Sequence, residues 1–306
     1  MKRSRLRRAK AFALSFGVSL VILSLIFIPI MLEISPLKDS YFTTSSKAQS
    51  EVQNTYVPTE SDALNALIVV TENGVGRYFL LVRFDPVNRR IPVSSLPYTM
   101  RVVTGERTDS LAGFDVYGGT LMVKEILESA LGIAIDRTAR LSSDSFVKAL
   151  NTLGTVKYSL PYSLVYKDTA SSTYINVPKG TQTLDGRAMY DMFRFPQYAE
   201  GEEHRYKVHS DLLTKLLNQR MDEWLIKHGD SVFHTLVGLA ETDISYNDYK
   251  QRISAMRSFS QMEEVSIPVF VSGRFSLQSF ELSQQSADTL TMYFSSAEGL
   301  QPADTV

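Results

Sequence analysis

The chain contains no cysteine. That absence excludes a disulfide framework and a thiolate metal site. It also removes any lipoprotein-type attachment after the hydrophobic run near the N-terminus. An external domain then has to be large enough to need no covalent staple, and 306 residues allow this. A surplus of one charge is lacking too. The 32 basic and 33 acidic side chains leave a net charge of -1, which argues against nucleic acid as the main partner. Four histidines, His204, His209, His228 and His234, show no metal-ligand spacing such as HExxH. His228 and His234 read as ordinary surface or partly buried residues. There is no internal repeat.

One stretch lacks charge altogether. From Ala11 to Leu32 no side chain ionises, and Lys2, Arg3, Arg5, Arg7, Arg8 and Lys10 precede it. About 20 apolar residues in a helix cross a bilayer core, and the basic flank places the N-terminus in the cytoplasm. A cleavable signal peptide is the rival reading, but the run ends IPIMLEIS, without small residues at a cut. The expected order is a basic tail at 1–10, a transmembrane anchor at 11–32 and a flexible linker at 33–61. An extracellular domain follows at 62–294, with a polar tail at 295–306.

Within that domain LNALIVV, RYFLLVRF and RIPVSSL read as strands separated by turn chemistry, with Asn73-Gly74 as a hairpin dipeptide. Their nearly continuous apolar character predicts a sheet covered on both faces. GGTLMVKEILESALG predicts a helix from near Thr120 to Gly132, and SSDSFVKALNTLG predicts another with a serine cap. TVKYSLPYSLVY and STYINVP return to strand character, and Pro196 ends the short helix LDGRAMYDMFRF. The next helix is expected to run to about His228-Gly229 and to set Arg205 and His209 together at its N-terminal end. SVFHTLVGLA and YNDYKQRISAMRSF look helical, and IPVFVSGRFSL looks like strands. The fold class is α/β, a mixed α+β sheet flanked by helices.

Arg194 and Arg205 flank the acidic loop FPQYAEGEEH. Two guanidinium forks across a loop can clamp a phosphate. They can equally be surface charges paired with Glu200, Glu202 or Glu203, worth little.

Several stretches in order resemble the LytR-CpsA-Psr family of the bacterial cell envelope. NALIVVTE is similar to N-[IL]-L-L-L-G-x-D, GRYFLLVRF to G-R-[ST]-D-T-[ILM]-[ILM]-L-V, and SLPYTM to S-[IL]-P-R-D-T. LAGFDVYGG, the two helices with the Ile-Asp between them, and LDGRAMYDMFRFPQYAEGEEHRYKVH follow at the family's spacing. The likeness covers about residues 64 to 220. It implies a membrane-anchored external domain that moves glycopolymers from a polyprenyl-pyrophosphate carrier to peptidoglycan. Arginines would neutralise the leaving group and carboxylates would hold Mg²⁺. Carried over position by position, the arginines fall on Arg77, Arg194 and Arg205, as catalytic and substrate-binding residues with Tyr98 beside them. The carboxylates fall on Glu72 and Glu202, as metal ligands.

The chain departs from the pattern at telling places. Tyr98-Thr99 stands where the family has Arg-Asp, Phe79 replaces the hairpin aspartate, Pro196 replaces the second paired arginine, and Val208-His209 replaces Arg-Gln. Losing several charge-assisted hydrogen bonds of roughly 1.5 to 3 kcal/mol each removes on the order of 5 to 9 kcal/mol, although such losses need not add. Three readings follow. The first is a pseudoenzyme that binds a polyprenyl-phosphate-linked glycan or an envelope partner. The second is an active Mg²⁺-dependent glycopolymer transferase, and the third a structural envelope interaction protein. Aromatic residues near the motifs suit either a groove or plain core, and Phe79, Tyr98 and Phe195 closing the groove would favour the structural reading.

Overall fold

The computed structural model describes residues 56–295 apart from 106, 221, 222, 260, 261, 263 and 277. The expected membrane anchor lies outside the described residues, and among those residues no helix is long and apolar enough to cross a membrane. A compact unit begins at Tyr56, so it takes in the end of the expected linker. There Glu60 reaches the guanidinium of Arg83 at 3.0 Å.

Six strands form one mixed sheet: β1 (Leu64–Glu72), β2 (Val75–Phe84), β3 (Ile91–Leu96), β4 (Arg137–Ser142), β5 (Glu241–Thr242) and β6 (Ser266–Pro268). Their spatial order is β5-β4-β1-β2-β3-β6. The first three are antiparallel neighbours, while β4 lies parallel to β1 and β6 parallel to β3. Helices cover both faces. On one side lie α1 (Leu111–Leu131) and α7 (Gln284–Phe294). On the other lie α2 (Ser143–Leu153), α3 (Gly186–Arg194), α4 (Glu202–Asn218), α5 (Glu223–Gly238) and α6 (Tyr246–Phe259). The alternation of strand side chains explains the two cores. Leu67, Val69, Phe79 and Leu81 point toward α1, and Val70, Tyr78, Leu80 and Val93 point toward α3 and α4. The expected sheet buried on both faces is what the chain builds.

Four elements differ from their sequence readings. Helix α1 starts at Leu111, capped by Ser110, and breaks at Gly119 (φ 68°, ψ -165°); the expected start near Thr120 is the start of its second segment. The helix expected to reach His228 stops at Asn218. The Asn218 carboxamide turns to the chain before β6, accepting from the N–H groups of Val265 and Ser266 and donating to the Ser266 carbonyl. Strand β4, RTARLS, escaped sequence reading because its polar side chains find partners far along the chain. Arg137 binds Asp248, the Thr138 N–H binds Asp243, and Arg140 binds Asp115. Helix α7 is the fourth difference, a helix where the sequence shows no clear helical signal, and it buries Leu290 and Phe294 under a Ser283 cap.

Candidate functional site, a cavity lined by arginines

Strands β1 and β2 join through Asn73 (φ 52°) and Gly74 (φ 81°), the left-handed pair of a tight hairpin. The ladder then slips. Val70 pairs with Tyr78 and Thr71 with Gly76, so Arg77 is an extra residue in β2. Strict alternation would send Arg77 to the same face as Phe79. The bulge releases it from that alternation, and Arg77 lines the same cavity as Tyr78; bulges are a common device for re-aiming a side chain.

A buried carboxylate braces this hairpin from behind. Asp115 of α1 accepts from the Gly76 N–H at 2.7 Å and is held by the Arg140 guanidinium, which also donates to the Gly74 carbonyl at 2.7 Å. Gly76 has to be glycine, because a Cβ there would stand 2.6 Å from the Phe79 ring and 3.0 Å from the Asp115 carboxylate.

The bulge sets Arg77 at the rim of a cavity of about 70 Å³. Its lining includes Glu72, Arg77, Tyr98, Arg194, Arg205 and His209. Three arginines from β2, α3 and α4 therefore meet in one place, although more than a hundred residues separate the first from the last.

Each guanidinium is held differently. Arg77 lies over the Tyr98 ring at 3.7 Å, with Glu72 no closer than 3.9 Å. A ring face holds a guanidinium by its plane and leaves the N–H edge able to bind. Arg194 ends α3 and pairs with Asp191 at 2.8 Å, one turn back in its own helix. Arg205 is buried, donates to the Phe195 carbonyl at 3.2 Å and meets Glu202 at 3.1 Å. The reading of Arg194 and Arg205 as partners of the loop glutamates thus holds for Arg205 with Glu202, while Arg194 takes Asp191.

Glu72 enters the cavity already engaged. Its Oε1 accepts from Tyr78 at 3.0 Å and from Tyr190. Burial first, and then the Glu72 carboxylate, push both phenols above their ordinary range, so they remain donors. His209 is fully buried and stacked on Phe193 at 4.1 Å. Its Nε2 meets the Phe193 carbonyl at 3.0 Å and so must donate, leaving Nδ1 to accept from Ser95 at 3.2 Å. Burial, with Arg205 beside it, pushes the imidazole down to about 3, so the ring is neutral and both nitrogens are occupied.

Of the residues singled out in the sequence, Glu72, Arg77, Tyr98, Arg194 and Arg205 come together at this cavity. Glu202 does not line it and pairs with Arg205. Among the described residues no three His, Asp or Glu side chains gather where they could hold a metal. The donor set does not fit a magnesium ion. Mg²⁺ takes six oxygens in near-octahedral geometry, whereas the one carboxylate lining the cavity has an oxygen claimed by two tyrosines and stands among arginines. Sequence reasoning missed Tyr190 and Asp191, which hold Glu72 and Arg194. It noted His209 for its place one turn beyond Arg205, without signalling that the ring is a buried floor. Phe79 and Phe195 are buried and do not line the cavity, so the groove is not closed by those rings.

A second cavity lies on the same side of the sheet. It measures about 290 Å³, is almost wholly apolar, and is bordered by Ile68, Leu80, Val82, Phe146, Leu213 and Leu217 among others. The same elements supply both cavities in sequence. β2 gives Tyr78 to the charged one and Leu80 and Val82 to the apolar one, and α4 gives Arg205 and His209, then Leu213 and Leu217. Phe193 borders the first and Phe146 the second, with ring centroids 5.3 Å apart.

Comparison with known proteins matches residues 43–295 to the LytR_cpsA_psr family. An uncharacterized Staphylococcus aureus protein is 22% identical over 197 residues, 58% of this chain and 48% of that relative, so the match spans about half the relative's length. A crystal structure from Eubacterium siraeum shares the fold with a TM-score of 0.72 at 16% identity, covering 82% of this chain and 96% of the other. Bacillus subtilis TagV gives 0.62 at 19%, covering 78% and 98%. TagT, solved bound to LI-WTA, gives 0.56 at 18%, covering 82% and 98%. At these identities the likeness is one of fold.

Proposed function

The chain belongs to the LytR-CpsA-Psr family, and from that premise we propose that it is a membrane-anchored cell-envelope protein which binds a polyprenyl-phosphate-linked glycan with transfer activity reduced or lost. One observation carries the reading: a cavity lined by Arg77, Arg194 and Arg205 adjoins an apolar cavity along the same strands and the same helix. A phosphate headgroup needs the first environment and a prenyl chain the second. An apolar cavity of this kind stays dry until an apolar group enters it.

The arginines bind and orient the phosphate, and Tyr98 keeps the Arg77 edge turned to it. The reduction in activity rests on the missing groups. Phe79 lies in the core where the family carries an aspartate, Pro196 lines the cavity where it carries an arginine, and His209 has no free nitrogen to move a proton.

Calorimetric titration of the full chain with geranyl monophosphate, in the presence of Mg²⁺, tests the reading. Arg77→Ala and Arg205→Ala are each expected to weaken binding roughly 10- to 100-fold, the scale of one charge-assisted hydrogen bond. Equal affinity in both variants and the wild type would refute the site. Transfer of a polyprenyl-pyrophosphate-linked glycan by the purified chain, stopped by Arg194→Ala, would refute the loss of activity.

A further inference from the structure

We propose that the arginine-lined cavity holds its phosphate headgroup without a divalent cation, the charge being met by Arg77, Arg194 and Arg205 alone. The inference rests on the preceding assignment of this cavity to the phosphate headgroup of a prenyl-linked glycan, and it deepens that assignment by stating how the charge is neutralised.

Glu72 is the one carboxylate among the lining residues. A bridging magnesium ion would need carboxylate oxygens free to enter its shell together with phosphate oxygens and water. Glu72 Oε1 already accepts two phenol hydrogen bonds, from Tyr78 and Tyr190. Those donors sit in the core cluster and cannot swing away without leaving buried hydroxyls unpaired. Glu72 Oε2 faces Arg77 at 3.9 Å, so a dication bound there would stand beside a fixed positive charge. The nearby acids are spoken for by other arginines, Asp191 by Arg194 and Glu202 by Arg205, and neither lines the cavity.

The two phenol hydrogens therefore occupy the Glu72 oxygen that a metal would otherwise use, and the Arg77 guanidinium stands 3.9 Å from the other. What lines the cavity is three guanidinium groups and one carboxylate already engaged, the acids that pair with Arg194 and Arg205 lying outside the lining. Such a donor-rich lining suits a phosphate anion and offers Mg²⁺ no set of oxygen ligands.

Substitution of Glu72 separates the two modes by sign. In a metal-bridged site, Glu72→Gln removes a ligand to the bridge and binding falls. In an arginine-only site the same change removes a negative charge next to the anion, while the amide oxygen still accepts from Tyr78 and Tyr190, and binding rises. Titration of the full chain with geranyl monophosphate is to be run in millimolar Mg²⁺ and again in EDTA, for wild type and Glu72→Gln. The expected result is an affinity unchanged within about twofold between the two buffers, and a gain of roughly threefold in Glu72→Gln, the scale of one partly screened charge.

Binding that appears only with Mg²⁺, or that Glu72→Gln abolishes, would overturn the inference and leave the cavity's assignment standing. The buffer comparison on wild type decides the matter even if the variant does not fold. No binding in either buffer would instead sink the assignment, and the inference with it. An arm with inorganic phosphate distinguishes the source of the headgroup. Equal affinity for it would take away the prenyl chain's part in the assignment without touching the metal question.

Discussion

Strand β2 carries two arginines, Arg77 near one end and Arg83 near the other, with opposite fates. Arg83 has a side chain 4% exposed, bound to Glu60 at 3.0 Å and to Asn65 at 3.3 Å, with Asp85 at 3.9 Å. Arg77 has a side chain 38% exposed and no carboxylate within hydrogen-bonding distance, and it rests on a tyrosine ring. The first closes the place where the chain enters the domain, and its charge is spent on the fold. The second keeps its donors available. Residue type and strand are the same, but Arg77 is the bulged residue while Arg83 is regularly paired with Asn65, and only Arg83 has an acid at hydrogen-bond distance.

A few substitutions separate the roles of the two arginines. Arg83→Ala should have the largest effect on stability, about 3 kcal/mol, since it leaves Glu60 and Asn65 without their buried partner. Urea unfolding measures this. Arg77→Ala should change the same midpoint by less than about 1 kcal/mol, so equal losses at the two positions would end the contrast.

The cavity end also carries a titrating group. His209 has its imidazole pushed down to about 3 against an ordinary 6.5, so the unfolded chain binds the proton more readily than the folded one. The stability that depends on the neutral ring is fully present above about pH 6.5 and is lost progressively as pH falls toward 3. Between pH 6.5 and 4 the wild type should lose about 3 kcal/mol more than His209→Gln, which retains a donor and an acceptor but no ionisable group. Parallel pH profiles for the two proteins would contradict the neutral buried ring.

Asp115→Asn probes the brace behind the bulge. It should cost about 2 kcal/mol, because a buried carboxylate accepting from Gly76 and held by Arg140 loses its charge. It should also weaken binding of geranyl monophosphate through Arg77 while leaving Arg83 untouched. At the small end, Lys207→Ala removes a half-exposed pair with Glu203 on the outer side of α4 and should change stability by less than about 1 kcal/mol.

Much of this molecule could be read before its coordinates. The buried central strands, the hairpin at Asn73-Gly74, the helices ending at Gly132 and Gly154, and the stop at Pro196 all follow from local chemistry. The motif order that resembled the LytR-CpsA-Psr family led to Glu72, Arg77, Tyr98, Arg194 and Arg205, which share one cavity. The same resemblance led to Glu202, which pairs with Arg205 one turn on and does not line the cavity. Strand β4 stayed hidden because the acids that pay for its arginines and threonine lie on α1, on α6 and in the loop before it.

The sequence by itself determined the layers, since hydrophobic period and cap residues act over one or two turns of chain and need no distant partner. It also determined which charged side chains were at hand. Only the tertiary structure decided which of them bind one another. The one-residue bulge that turns Arg77 toward the cavity, the tyrosines that close on Glu72, and the ring of His209 under Arg205 all depend on contacts between residues far apart in sequence. A charge becomes a ligand or a strut through the few ångströms to its nearest opposite, and packing sets that distance.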